Sequence, residues 1–202
     1  MRELLVATKN PGKFKEIGEA LGGVGFKLVF LGEVSVDDSD FVEDGETFEE
    51  NAKKKAWYYY EKLKGRFEFV LGEDSGIMID ALKGELGVKT RRWGSGEGAS
   101  DEQWIDYFLK RMEGVPENER GAEFVCCACL IAKGEERMFR GETKGVITHK
   151  LEAPVIAGIP LSSCFRPEGS EQVYAALSPE QKNKISHRGK AMKPLREFLV
   201  GR

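Results

Sequence analysis

The segment Thr8-Lys9-Asn10-Pro11-Gly12-Lys13 constrains this chain most, because it joins the apolar run Leu4-Leu5-Val6-Ala7 directly to the helix-like Phe14-Lys15-Glu16-Ile17-Gly18-Glu19-Ala20-Leu21. A short strand turning straight into a helix gathers backbone N–H groups, a hydroxyl, an amide and one ammonium at a helix N-terminus. That geometry suits phosphate. It is not a Walker loop, since the Gly-x-x-x-x-Gly-Lys-Ser/Thr spacing is absent and Phe14 follows Lys13. Ordinary helix-start chemistry accounts for the same residues, with Asn10 as N-cap and Pro11 at the first helical position. The phosphate reading therefore needs support from elsewhere in the chain.

A length of 202 residues suits one medium domain, with room for a sizeable core. Its 31 Lys plus Arg stand against 34 Asp plus Glu, a net charge of -3, which argues against a protein that grips a nucleic-acid backbone over a broad surface. Positive charge is expected to be local. Neither a signal peptide nor a membrane span can be drawn, so a cytoplasmic protein is expected. Cys126 and Cys129 have the spacing of a Cys-x-x-Cys motif but lie in the strand-like Ala122-Glu123-Phe124-Val125-Cys126-Cys127-Ala128-Cys129-Leu130-Ile131-Ala132. Residues three apart on a strand point to opposite faces, so these two cysteines, with Cys127 and Cys164, read as reduced core residues.

Strands near 3–8, 26–31 and 68–72 alternate with helices near 12–22 and 47–64, which begins an α/β fold. Runs at 121–133 and 136–148, joined by Lys133-Gly134-Glu135-Glu136, predict an antiparallel hairpin. Ser100 caps a helix to about Met112, and Ser178-Pro179-Glu180-Gln181 opens another. A mixed sheet with a helical layer and a second, hairpin-rich lobe follows, roughly 115–178, with a ligand cleft between. The run Trp57-Tyr58-Tyr59-Tyr60 is expected to pack in core and grooves rather than to stack bases.

Two acidic clusters stand out. Asp37 to Thr47 forms a loop entering the second helix, with Thr47 and Glu50 in capping-box register. Glu73-Asp74-Ser75-Gly76 lies between the apolar runs Phe69-Val70-Leu71 and Ile77-Met78-Ile79, which predicts carboxylates at a strand end. Acids so placed, with a second acidic loop available, suit a hard oxygen-seeking ion such as Mg2+. A third cluster, Lys182-Asn183-Lys184-Ile185-Ser186-His187-Arg188-Gly189-Lys190, reads equally as a pocket for phosphates or base edges and as a solvated helix end.

Together these segments resemble one family, the inosine triphosphate pyrophosphatases, or XTP/dITP diphosphatases. The resemblance is carried in order by Ala7 to Lys13, Glu43 to Ala52, Glu73-Asp74-Ser75-Gly76, Asp80-Ala81-Leu82-Lys83-Gly84 with Gly87-Val88, and Ser186-His187-Arg188-Gly189. It implies one pyrophosphatase-like domain over residues 1–202: an elongated α/β protein with a long mixed sheet, flanking helices and two lobes around a central cleft, assembled as a homodimer. It further implies that Thr8, Asn10 and Lys13 bind triphosphate, that Glu43 and Asp74 hold Mg2+, and that Asp74 is the general base. Ser75 touches substrate, and Lys182, His187 and Arg188 line the nucleotide pocket. The implied reaction is hydrolysis of a non-standard purine triphosphate (ITP, dITP or XTP) to monophosphate and pyrophosphate, cleansing the nucleotide pool. No nucleic acid or membrane partner is implied.

The chain departs from the family where Gly-Phe-Gly-Tyr-Asp-Pro is typical and Gly158-Ile159-Pro160-Leu161-Ser162-Ser163 stands instead. The loop's stacking aromatics and its acid are missing, which is expected to weaken or redirect base selection. Glu73 replaces a second Asp, keeping the charge but moving it one methylene outward. Two alternatives stay open at this point: a nucleotide-binding protein with altered base specificity or little catalysis, and a pyrophosphatase for another modified nucleotide.

Overall fold

The computed structural model describes residues 2–95 and 98–201. A six-stranded mixed sheet runs in the order β2-β1-β3-β4-β5-β6. Its strands are β1 (Arg2–Val6), β2 (Phe26–Phe30), β3 (Phe69–Ile79), β4 (Gly121–Ala132), β5 (Glu135–Ile147) and β6 (Phe165–Pro167). β1 is parallel to both β2 and β3, and the remaining pairs are antiparallel. The helices are α1 (Pro11–Ala20), α2 (Phe48–Lys62), α3 (Asp101–Arg111), α4 (Pro179–Ile185) and α5 (His187–Val200). Among the described residues no helix is long and apolar enough to cross a membrane.

Local chemistry places these elements. Leu4, Leu5 and Val6 are fully buried, as a parallel strand covered on both faces requires. Asn10, Thr47, Ser100, Ser178 and Ser186 each cap a helix by accepting a backbone N–H, with capping boxes at Thr47, Ser100 and Ser178. β4 and β5 are joined by only two residues, Lys133 (φ +53°) and Gly134 (φ +86°), the left-handed pair of a tight hairpin turn.

Period-two alternation divides β4 between layers. Cys126, Ala128 and Leu130 face α1 and α5, with Leu4, Val6, Ile17, Met192 and Leu195. Cys127, Cys129 and Ile131 face α2, against Ala52 and Ala56. All four cysteines are free and buried, and burial pushes the thiols of Cys127, Cys129 and Cys164 up to about 12. A further cluster packs Ile77, Ile79 and Phe124 against Trp104, Phe108, Phe165 and Tyr174. Of the aromatic run on α2, Tyr59 is buried beside Leu5 and Val70, and Trp57, Tyr58 and Tyr60 are partly buried.

One sequence expectation is corrected. Glu73-Asp74-Ser75-Gly76 does not end a strand: β3 runs unbroken through it, paired to β4 from Phe69↔Ala132 to Ile79↔Ala122. The strand that ends there is β1, whose pairing with β3 stops at Val6↔Leu71. Beyond that point β3 has no parallel neighbour. Asp74 therefore lies in the crevice past the carboxyl end of a parallel strand, where chains leaving a sheet in opposite directions open a ligand site.

Candidate active site

The crevice opens into a cleft of about 450 Å3. Thr8, Asn10 and Lys13 line it from the β1–α1 turn, Glu43 from the acidic loop, and Asp74 and Ser75 from β3. His187 and Arg188 enter from the first turn of α5, and none of residues 57–60 reaches the cleft. Lys182 does not line it: its ammonium rests on Glu16 and over the Tyr174 ring. The alternative of a solvated helix end fails for this cluster, because Lys182, His187 and Arg188 are all buried.

The β1–α1 turn is held by its own side chains. The Asn10 N–H donates to Thr8 Oγ1 (3.1 Å), the Lys13 N–H donates to Asn10 Oδ1 (3.0 Å), and Asn10 Nδ2 donates to the Gly158 carbonyl (2.8 Å). Gly12 allows the turn to seat against the opposite wall, since a Cβ there would lie 2.4 Å from the Ala157 carbonyl.

Adjacent residues of a strand point to opposite faces, and this separates the two acids of β3. Glu73 is fully buried and turned from the cleft, with Oε2 at 3.0 Å from Lys13 Nζ and Oε1 at 3.1 Å from Arg188 Nη2. Arg188 also donates to Ser75 Oγ (2.9 Å) and pairs with Glu16, which in turn holds Lys182. A buried chain of alternating charge results: Lys13, Glu73, Arg188, Glu16, Lys182. Burial alone would raise the Glu73 carboxyl; Lys13 and Arg188 overcome it and hold it well below the usual carboxylate range. Lys13 and Arg188 are raised despite burial by the same pairing. Glu73 is thus an internal counter-ion, and the extra methylene reaches cations rather than the cleft.

Asp74 differs. Its Oδ2 accepts from Asn51 Nδ2 (3.0 Å) and its Oδ1 from the Ser75 N–H (2.9 Å), which leaves lone pairs on both oxygens. Burial raises its carboxyl, with Glu43 and Glu73 adding and Lys13 and Lys55 opposing. Asn51, fully buried, also accepts the Gly45 N–H (2.8 Å), so one amide ties the acidic loop to the β3 carboxylate. Glu43 is pinned by Arg92, which donates to its carbonyl (2.9 Å), and its carboxylate pairs with Lys55. Lys55 Nζ reaches the Glu73 carbonyl as well (3.1 Å).

The far wall carries rings that residues 158–163 lack. Trp104 from α3 and Phe124 from β4 line the cleft beside Ile159, Leu161 and Ser162. His187 stacks on Phe124 (centroids 4.6 Å apart, 11° between planes) and faces Tyr174 beyond. Burial, then Arg188, pushes its imidazole well below the ordinary histidine value, so it is neutral.

Sequence reading missed Glu16, Asn51, Lys55, Arg92, Trp104 and Phe124. Glu16 had a signal: at i+3 from Lys13 it shares that residue's helix face. Asn51 and Lys55 follow the acidic loop on α2, one helical turn apart. Nothing in the order of residues brings Trp104 and Phe124 to this wall.

The model of the Ham1 family matches residues 4–198. A dITP/XTP pyrophosphatase of Geobacter sulfurreducens is 41% identical over 201 residues, covering 98% of this chain and 97% of that one. A dITP/XTP pyrophosphatase of Oceanobacillus iheyensis is 36% identical, covering 98% of both chains. Among solved structures, a HAM1 protein from Coxiella burnetii superposes with a TM-score of 0.80 at 30% identity, over 100% of both chains.

Proposed function

Because the chain belongs to the Ham1 family, we propose that it hydrolyses non-standard purine nucleoside triphosphates, ITP, dITP and XTP, to the monophosphate and pyrophosphate, so cleansing the nucleotide pool. One observation carries the reading for this chain: two carboxylates, Glu43 from the acidic loop and Asp74 from β3, share a cleft with Lys13 and Arg188, each in the first turn of a helix. Anionic phosphates and an activated water have partners side by side there.

Thr8, Asn10 and Lys13 hold the triphosphate, with Ser75 and Arg188 beside them. The base lies toward His187, against the wall that Trp104 and Phe124 help to form. Asp74 takes the proton of the attacking water, oriented by the Asn51 amide and the Ser75 N–H. The water oxygen bonds to the α-phosphorus as the bridging bond to the β-phosphate breaks, and pyrophosphate leaves. Lys13, kept protonated by Glu73, meets the charge that develops on the phosphate oxygens.

Mg2+ fits the donor set. Among the described residues no group of three or more His, Cys, Asp or Glu gathers to hold a metal, and two oxygen donors suit an ion that keeps waters and takes phosphate oxygens from its substrate. Glu43 and Asp74 would hold it; when bound, it neutralises charge on the phosphates. The homodimer, the cytoplasmic setting and a lobe at 115–178 bounding the cleft complete the proposal, with no nucleic-acid partner.

A panel of nucleoside triphosphates, scored for pyrophosphate with and without Mg2+, tests this reading. Turnover of ITP, dITP and XTP above the standard nucleotides is expected, and Asp74→Asn should lower kcat by about 10²-fold or more while nucleotide still binds. Release of pyrophosphate from none of them, or an undiminished Asp74→Asn enzyme, would sink it.

A further inference from the structure

Lys55 stands where a metal-binding reading would place a cation. Its ammonium pairs with the Glu43 carboxylate and donates to the Glu73 carbonyl at 3.1 Å, and the residue lines the cleft alongside Asp74. Its side chain is only 13% exposed, against 43% for the neighbouring Lys54, which pairs with Asp44 away from the cleft. Glu73 adds to the negative charge of this corner, and the cations Lys13 and Arg188 are both paired with it. Lys13 and Lys55 oppose the repulsion between Asp74 and Glu43, and Lys55 is the one paired with the Glu43 carboxylate.

We propose that Lys55 is an internal counter-ion that occupies the Glu43 carboxylate in the free protein and must leave it before a divalent cation binds. The inference rests on the assignment of Glu43 and Asp74 as the metal-holding pair. Its consequence is a coupling: the free protein binds metal weakly, and phosphate, by receiving the displaced ammonium, makes the exchange favourable. If the lysine holds Glu43 in all but about a tenth of molecules, the apparent metal dissociation constant is raised about tenfold.

Mn2+ binding to the substrate-free protein, followed by calorimetry and by the paramagnetic signal of the free ion, tests this without turnover. Lys55→Met is expected to tighten Mn2+ binding by about tenfold. Lys54→Met, which removes the same charge one residue away, should leave it within twofold. Unchanged or weaker binding in Lys55→Met would overturn the proposal, and so would equal tightening in both variants, which would mark a general field effect. Should Lys55→Met fail to fold, Lys55→Gln is read in the same titration with the same expectations. The pyrophosphate panel on the wild type stands apart: an enzyme without that turnover whose Lys55→Met variant still tightens Mn2+ would fail the functional reading and keep this one.

Discussion

Asn10 and Gly158, 148 residues apart, are joined across the cleft by a hydrogen bond of 2.8 Å from the amide Nδ2 to the carbonyl. The Gly158 N–H meanwhile donates to Asp101 Oδ2 at 2.6 Å, so one residue is gripped from the β1–α1 turn on one side and from the start of α3 on the other. The β1–α1 turn and the loop around Gly158 are thereby set at a fixed spacing.

Gly158→Ala should break that clasp. The residue has φ +79°, where a side chain is strained, and its Cβ would lie 2.3 Å from Asn10 Oδ1. A stability loss of about 1–3 kcal/mol is expected in urea unfolding. Steady-state kinetics should show KM raised by about tenfold or more as Asn10 is pushed from its place. Wild-type KM would show that the clasp does not position the turn.

Glu73→Gln tests the buried charge chain. The change keeps volume but strands Lys13, while Arg188 retains Glu16. A loss of about 3 kcal/mol is expected, the low end for breaking a buried pair. The sign with pH follows from the lowered Glu73 carboxyl: its stabilisation is present above the unfolded carboxylate value and is lost as pH falls through the folded one. Acid unfolding of Glu73→Gln should accordingly be shallower than that of the wild type.

His187 gives a separate pH signature. Its folded value is lowered, so between that value and about 6.5 the unfolded chain binds a proton that the folded chain refuses. Stability should fall as pH drops below about 6.5, by up to about 1.4 kcal/mol per unit. His187→Phe keeps a ring against Phe124 and removes the titration, so its stability should be flat between about pH 5 and 6.5. A wild-type slope persisting in the variant would assign it elsewhere.

The elements with local causes were legible before the fold was known. Asn10, Thr47, Ser100 and Ser178 announced their helices, and the unbroken apolar run from Cys126 to Ile131 announced a buried strand. The candidate site was legible as far as its residues cluster in the chain, and eight of the nine named positions do meet at one cleft. What sequence could not supply was direction and distance. Whether Glu73 or Asp74 faced the ligand depended on how β3 sits on β4, and Lys182 was withdrawn by Glu16, a partner 166 positions away. The loss of rings from residues 158–163 looked uncompensated because Trp104 and Phe124 reach that wall from α3 and β4.

Ile159→Phe asks whether that wall still receives a base. Ile159 lines the cleft, and its Cγ1 lies 3.3 Å from the position a Cβ on Gly12 would take, so the side chain sits against the β1–α1 turn. A phenyl group there should stack on a purine and contribute about 1–3 kcal/mol. KM for dITP should fall by about fivefold or more, with unfolding stability within about 1 kcal/mol of the wild type. The gain should extend to every purine triphosphate alike, because stacking reads the ring face and not its edge. An unchanged KM in a stably folded variant would place the base away from residue 159 and leave Trp104 and Phe124 as the rings to test next.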